Sequence, residues 1–147
     1  MARATHFVSH AWTYPFADLL AALEAHFERS AGDNETAYLW VGMRSPHQRA
    51  QRRQLTRRDA SDIFVGNQHR AAQLPQSWWT QTFWQSVTDI GRTVLVLQPW
   101  DAPVPLTRSW CLWEIFNTLD GGAELQIALS PKQRKAFQEA LVRAVCL

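Results

Sequence analysis

The feature that most constrains this chain is a continuous apolar run of five residues, Thr93-Val94-Leu95-Val96-Leu97. Leucine and β-branched side chains without alternation are typical of a strand that is buried on both faces of a parallel sheet. Parallel neighbours are joined by long crossover connections, which are usually helical. The run therefore favours an α/β fold over an all-helical or an antiparallel one.

The rest of the sequence alternates between strand and helix patterns. Phe16, Leu19, Leu23 and Phe27 recur at helical spacing and predict one amphipathic helix from about residue 15. This order predicts a single domain over residues 1–147, with a flavodoxin-like open parallel sheet of about five strands and helices on both faces. Further strands are predicted at 5–9, 38–41 and 124–129, and further helices at 77–90, at 106–119 and from Pro131, with Ser130 as N-cap.

Residues 42–61 interrupt this pattern. Six arginines lie between Arg44 and Arg58 with no acid among them, and without them the formal net charge of +2 would become −4. Such a local concentration of positive charge argues against a nucleic-acid-binding face of the whole domain. Because residues 38–41 would join residues 62–65 smoothly without this segment, we predict an arginine-rich loop insertion, or a segment wrongly retained in the translated sequence.

Several classes of protein are disfavoured by what the sequence lacks. No apolar run reaches the ~18 residues of a membrane span, and the N-terminus does not resemble a signal peptide. The two cysteines, Cys111 and Cys146, have no metal-binding spacing and suit a reducing compartment, so we predict a cytoplasmic protein without a metal site. No phosphate-binding glycine loop is present.

The helix predicted at 106–119 carries the residue of greatest interest. Its apolar side chains Leu112, Ile115, Phe116 and Leu119 predict the stripe that faces the core. Glu114 lies about 200° from Leu112 around the helix and is expected to point away from that core. It is then either a solvated surface residue or a functional group.

Three segments resemble TIR domains. Arg108-Ser109-Trp110-Cys111-Leu112-Trp113-Glu114-Ile115 resembles the start of the TIR signature helix. Phe7 to Ala11 resembles the opening strand and loop, and Thr93 to Leu97 resembles the central strand. More narrowly, three stretches resemble a divergent TIR-like group from microbial eukaryotes, namely Ser9 to Trp12, Asn67 to His69 and Gly91 to Asp101.

The resemblance implies an activity. In TIR domains that cleave NAD, the glutamate of the signature helix is catalytic, and it corresponds to Glu114 here. NAD would be a substrate rather than a cofactor, and it would be hydrolysed or cyclised with release of nicotinamide. A carboxylate near the ribose can stabilise the positive charge that develops as the glycosidic bond breaks.

Other candidate residues follow from the fold. Ligands of open parallel sheets bind outside the carboxyl ends of the strands, where Ser9, His10 and Trp12 are expected. Ser109 and Trp110, at the start of the signature helix, are further candidates for substrate binding. His10 could instead fix its loop by a hydrogen bond, and Trp110 could pack under the loop that follows the central strand.

A second function remains open. The chain could be a non-catalytic TIR-like module that acts in signalling or self-recognition by protein–protein interaction. TIR domains associate with themselves, so a homo-oligomer is expected on either interpretation. Trp113 and the Trp78-Trp79 pair would then be contact residues.

Overall fold

The computed structural model describes residues 4–30, 36–41, 63–65, 81 and 83–145. Its sheet has five parallel strands in the order β3-β2-β1-β4-β5. The predicted flavodoxin-like open parallel sheet of an α/β domain is therefore confirmed. The strands are β1 (His6–Ser9), β2 (Leu39–Val41), β3 (Ile63–Val65), β4 (Arg92–Val96) and β5 (Glu124–Ala128).

The helices of the described ranges form two layers. Alternating side chains on β1 place Val8 in a core against α1 and Phe7 in a core against α2. The α4 helix contacts α1, and α3 contacts α2, so each face of the sheet has its own layer. None of these helices is long and apolar enough to cross a lipid bilayer. Their bounds are α1 (Phe16–Ser30), α2 (Trp84–Ile90), α3 (Ser109–Asp120) and α4 (Pro131–Val145), with a 3-10 turn at Val104–Thr107 before α3.

The strand β4 is buried as its sequence predicts. Val94 and Val96 are fully buried in the core against α1, and Thr93 and Leu95 are buried on the opposite face. The run is therefore continuous because both faces of the strand are covered by helices.

The packing of α1 and the first residue of α4 also agree with the prediction. Leu19 and Leu23 of α1 are buried, which confirms the predicted stripe. Pro131 is the first residue of α4, and the Ser130 Oγ accepts the backbone N–H of Gln133 at 3.4 Å. This is the N-cap predicted from the order of these residues.

The relation between β2 and β3 differs from the expected one. Residues 63–65 do not continue the strand of residues 38–41, because β3 pairs with β2 as a parallel neighbour, with Leu39 opposite Ile63. Two parallel neighbours need a crossover connection, and residues 42–62 are the chain that joins them. The predicted arginine-rich insertion at 42–61 itself lies outside the described residues.

The orientation predicted for α3 is wrong. Leu112 is 46% exposed, and Phe116 and Leu119 are each 60% exposed, whereas Ile115 is half-buried. The residues of α3 that are buried are Cys111, Glu114, Asn117 and Thr118.

Polar partners explain this orientation. The sheet surface under α3 presents the hydroxyl groups of Ser9 and Thr93, which hydrogen-bond to Glu114 and to Thr118 respectively. A buried polar group is tolerated where it has a partner, so α3 turns its polar stripe towards the sheet. Glu114 therefore points into the domain, contrary to the expectation from periodicity.

Candidate functional site

The candidate site lies where the order of the sheet reverses. The chain runs outward from β1 to β2 and β3 on one side, and from β4 to β5 on the other. In open parallel sheets the crevice at such a reversal, beyond the carboxyl ends of the strands, is the usual place for a ligand. Ser9 is the last residue of β1, so its side chain lies at this edge.

Glu114 reaches this edge from α3. The Ser9 hydroxyl donates a hydrogen bond to Glu114 Oε2 at 2.6 Å, which joins residues 105 positions apart in the chain. Ser9 is fully buried, and Glu114 is only 7% exposed. The carboxyl is thus held at the end of β1 and away from bulk water.

Trp110 also acts on the Glu114 carboxyl and lowers its pKa. The two residues are four apart on α3, so their side chains lie one above the other on the helix. Trp110 is 37% exposed and packs at 4.9 Å between ring centres on Trp113, which contacts Phe83, the residue before α2 in the same layer. The aromatic cluster fixes the indole that contacts the carboxyl.

Burial determines the acidity of Glu114. Loss of water raises its pKa from 4.5 to about 7, although the hydrogen bond from Ser9 and the nearby Trp110 indole oppose this rise. At neutral pH the carboxyl therefore populates both the protonated and the ionised form. Titration near the working pH is a common property of groups in active sites.

His10 is a buried residue of the loop after β1. It is 4% exposed, and burial lowers its pKa from 6.5 to about 4. Its backbone carbonyl accepts the S–H of Cys111 at 3.6 Å, which ties the loop after β1 to α3. Its Nε2 atom has no hydrogen-bond partner in the described part of the chain.

The remaining predicted residues are Trp12 and Ser109. Trp12 is half-buried on the loop after β1, and Ser109 is exposed at the first position of α3. The Ser9 hydroxyl hydrogen-bonds to Glu114, and Trp110, one helical turn before Glu114, lowers the pKa of its carboxyl. The structure therefore brings Ser9, Trp110 and Glu114 together.

Tyr14 is a structural residue of the site that sequence reasoning missed. Its hydroxyl donates to the carbonyl oxygen of Gln98 at 2.5 Å and accepts the backbone N–H of Gln98 at 2.9 Å. This pair joins the loop after β1 to the loop after β4, on the two sides of the crevice. Its signal in the sequence is weak, because one tyrosine in a loop does not indicate a partner 84 positions away.

Cys111 is the buried residue that its sequence context predicts. It is 2% exposed, and burial raises the pKa of its thiol to about 11. A thiol that stays protonated is a poor nucleophile, so Cys111 acts here as a small packing residue. No group of three or more potential metal ligands occurs among the described residues.

These observations define an open parallel α/β domain with a buried, hydrogen-bonded carboxyl at the reversal point of its sheet. Comparisons with protein-family models, with curated proteins and with solved structures found no match to the chain.

Replacing Ser9 by alanine is expected to raise the pKa of Glu114 further. The Ser9 hydroxyl stabilises the carboxylate, and its loss should move the titration upward by about one pH unit. Carbon-13 NMR titration of the labelled Glu114 side chain measures this change. Ser109→Ala removes an exposed hydroxyl of the same helix and should leave the titration unchanged; an equal change in both variants would contradict the assigned hydrogen bond.

Proposed function

We propose that this chain is a TIR-like domain that cleaves NAD and releases nicotinamide, by hydrolysis or by cyclisation. The observation that carries the proposal is the Glu114 carboxyl, held by Ser9 and Trp110 at the carboxyl end of β1. The same residues lie in the segments that resemble TIR domains. A cytoplasmic location, where NAD is abundant, suits this activity.

The proposed chemistry needs one carboxylate. Nicotinamide leaves a pyridinium as a neutral molecule, so the leaving group needs no proton from an acid. Ionised Glu114 stabilises the ribosyl cation as the bond to nicotinamide breaks, and a water molecule or the adenine ring of the same molecule then attacks the sugar. Because the carboxylate is the active form, the rate should rise as Glu114 loses its proton.

The other candidates have supporting roles in this proposal. Ser9 and Trp110 orient the carboxyl, and Trp110 and Trp12 offer aromatic faces for a base or a ribose. His10 presents an imidazole that is neutral at physiological pH. Ser109 is a hydroxyl at the start of α3, where backbone N–H groups favour the phosphates of NAD.

Glu114→Gln is expected to lower the rate of nicotinamide release at least ~100-fold, because the amide carries no charge to stabilise the cation. Nicotinamide is measured by chromatography after incubation of concentrated protein with NAD. Glu139→Gln, an exposed glutamate of α4, is the matched control and should keep full activity. Activity that survives in Glu114→Gln would remove Glu114 from the mechanism.

A non-catalytic TIR-like interaction module is the second candidate. The near-complete burial of Glu114 and the exposed apolar face of α3 favour it. In that case the Ser9–Glu114 hydrogen bond only fixes α3 on the sheet. Wild-type protein that releases no nicotinamide at any concentration, while remaining folded, would select this candidate over the enzyme.

A further inference from the structure

His10 carries a buried nitrogen atom that no described residue satisfies. The side chain is 4% exposed, and its Nε2 atom has no hydrogen-bond partner within the described ranges. Buried polar atoms of native proteins nearly always have a partner, and the rare exceptions call for an explanation such as a role in binding or catalysis. His10 is the first residue after β1, so this atom belongs to the loop at the reversal of the sheet.

The surroundings of the ring decide which groups Nε2 can bind. Burial lowers the pKa of His10 to about 4, so the ring is neutral at physiological pH, although the backbone of Val8 opposes this fall. A backbone carbonyl raises the pKa of a histidine by facing a ring nitrogen that carries a proton, and Nε2 has no such partner among the described residues. The proton of the neutral ring therefore lies on Nδ1, and Nε2 is a hydrogen-bond acceptor.

We propose that His10 Nε2 accepts a hydrogen bond from a ribose hydroxyl of the bound nucleotide, which makes His10 a residue that determines specificity. The inference rests on the proposed cleavage of NAD, whose two ribose units carry such hydroxyls. Ser9, the neighbour of His10 in the chain, holds the Glu114 carboxyl at 2.6 Å. Because neighbouring Cα atoms are about 3.8 Å apart, a sugar bound against Glu114 has its hydroxyls close to the loop that begins at His10.

The chemistry of Nε2 separates a hydroxyl from the phosphates of the nucleotide. A phosphate oxygen is itself an acceptor with a negative charge, and a neutral ring offers it neither a proton nor a positive charge at Nε2. A hydroxyl donates to the Nε2 lone pair and keeps its own lone pairs for other donors. The amino groups of adenine and nicotinamide also donate, so the test includes these bases without their sugars.

Two hydrogen bonds hold the loop of His10, and neither uses the imidazole ring. The backbone carbonyl of His10 accepts the S–H of Cys111 at 3.6 Å, and the Tyr14 hydroxyl accepts the backbone N–H of Gln98 at 2.9 Å. A substitution that removes only Nε2 leaves both contacts in place. Ligand binding by Nε2 can therefore be separated from the structure of the loop.

Nitrogen-15 NMR of the histidine-labelled full chain at neutral pH tests the proposal. The probe is ADP-ribose, which contains both ribose units and has no bond to nicotinamide that could be cleaved. Its addition should move the His10 Nε2 resonance upfield, as expected of a nitrogen that accepts a hydrogen bond. The resonance of His26 Nε2, which is 2.9 Å from Gln126 Oε1, is the internal control and should not move. Pyrophosphate, adenine and nicotinamide have no sugar hydroxyl and should leave both resonances unchanged.

Two substitutions of His10 separate its two ring nitrogens. The amide of His10→Asn takes the position of Nδ1 and leaves no acceptor at Nε2, whereas the longer His10→Gln places its amide near Nε2. Calorimetric titration with ADP-ribose should show affinity about tenfold weaker in His10→Asn and within about threefold of the wild type in His10→Gln. Circular dichroism confirms that each variant is folded.

The outcomes distinguish this inference from the proposed function. ADP-ribose that binds without moving the His10 resonance, an equal shift with pyrophosphate or a free base, or no binding of ADP-ribose would each overturn the inference. A His10→Gln variant as weak as His10→Asn would also overturn it. None of these measurements depends on cleavage, so a failure to release nicotinamide from NAD would contradict the proposed function and leave the ribose contact of His10 standing.

Discussion

Glu114→Gln should become more stable relative to the wild type as the pH rises, by about 2–3 kcal/mol between pH 5 and pH 8. Folding raises the pKa of Glu114 from 4.5 to about 7, so the folded state holds its proton more tightly than the unfolded state. The stability associated with the buried proton is present below pH 4.5 and is lost as the pH rises through 7. Glutamine has no proton to lose.

Urea unfolding of both proteins at the two pH values measures this difference. A comparison between variants is needed because His10 acts in the opposite direction: its pKa is lowered to about 4, so its contribution is lost as the pH falls below 6.5. That contribution cancels when the two proteins are subtracted. The exposed Glu139→Gln control should differ from the wild type by less than about 0.5 kcal/mol at either pH. A Glu114→Gln difference that does not change with pH would contradict the burial of this carboxyl.

Leu19→Ala is expected to cost about 3 kcal/mol, whereas Leu112→Ala is expected to cost less than about 1 kcal/mol. Leu19 is 2% exposed in the core between α1 and the sheet, so the shorter side chain leaves a cavity. Leu112 is 46% exposed, although its position in the helical stripe predicted a core residue. The difference in stability between the two alanine variants therefore distinguishes the observed orientation of α3 from the orientation expected from periodicity.

Chemical unfolding at low protein concentration, where association does not contribute, measures both free energies of unfolding. Equal and large losses in the two variants would show that Leu112 is packed inside the domain. Equal and small losses would show that the core against α1 is not the one described.

Much of the fold could be predicted because its elements bury apolar residues in the usual way. The run at β4 is buried on both faces, and the stripe on α1 packs on the sheet through Leu19 and Leu23. The helical spacing of apolar residues predicted the wrong orientation for α3. That spacing takes no account of the hydrogen-bond partners that the sheet offers to polar side chains. There the sheet offers the hydroxyls of Ser9 and Thr93, and a polar stripe with hydrogen bonds is buried in place of the apolar one.

The sequence singled out Ser9 and Glu114 of the candidate site, but it did not predict their contact or the contribution of Tyr14. The resemblance of the segment around Glu114 identified that residue, and the position of Ser9 at the end of a strand placed it at the crevice. The 2.6 Å hydrogen bond between them joins two elements that no local pattern connects. The same is true of Tyr14 and Gln98, whose hydrogen bonds join two loops across the crevice.

The most direct test of the proposed role of Glu114 is the rate of nicotinamide release from NAD between pH 5 and pH 9, in the wild type and in Glu114→Gln. The wild-type rate should rise with a midpoint near pH 7, where Glu114 loses its proton. The glutamine variant should show at most ~1% of that rate at every pH. A wild-type rate that is independent of pH, or equal in the two proteins, would contradict the assignment of Glu114 as the catalytic carboxylate.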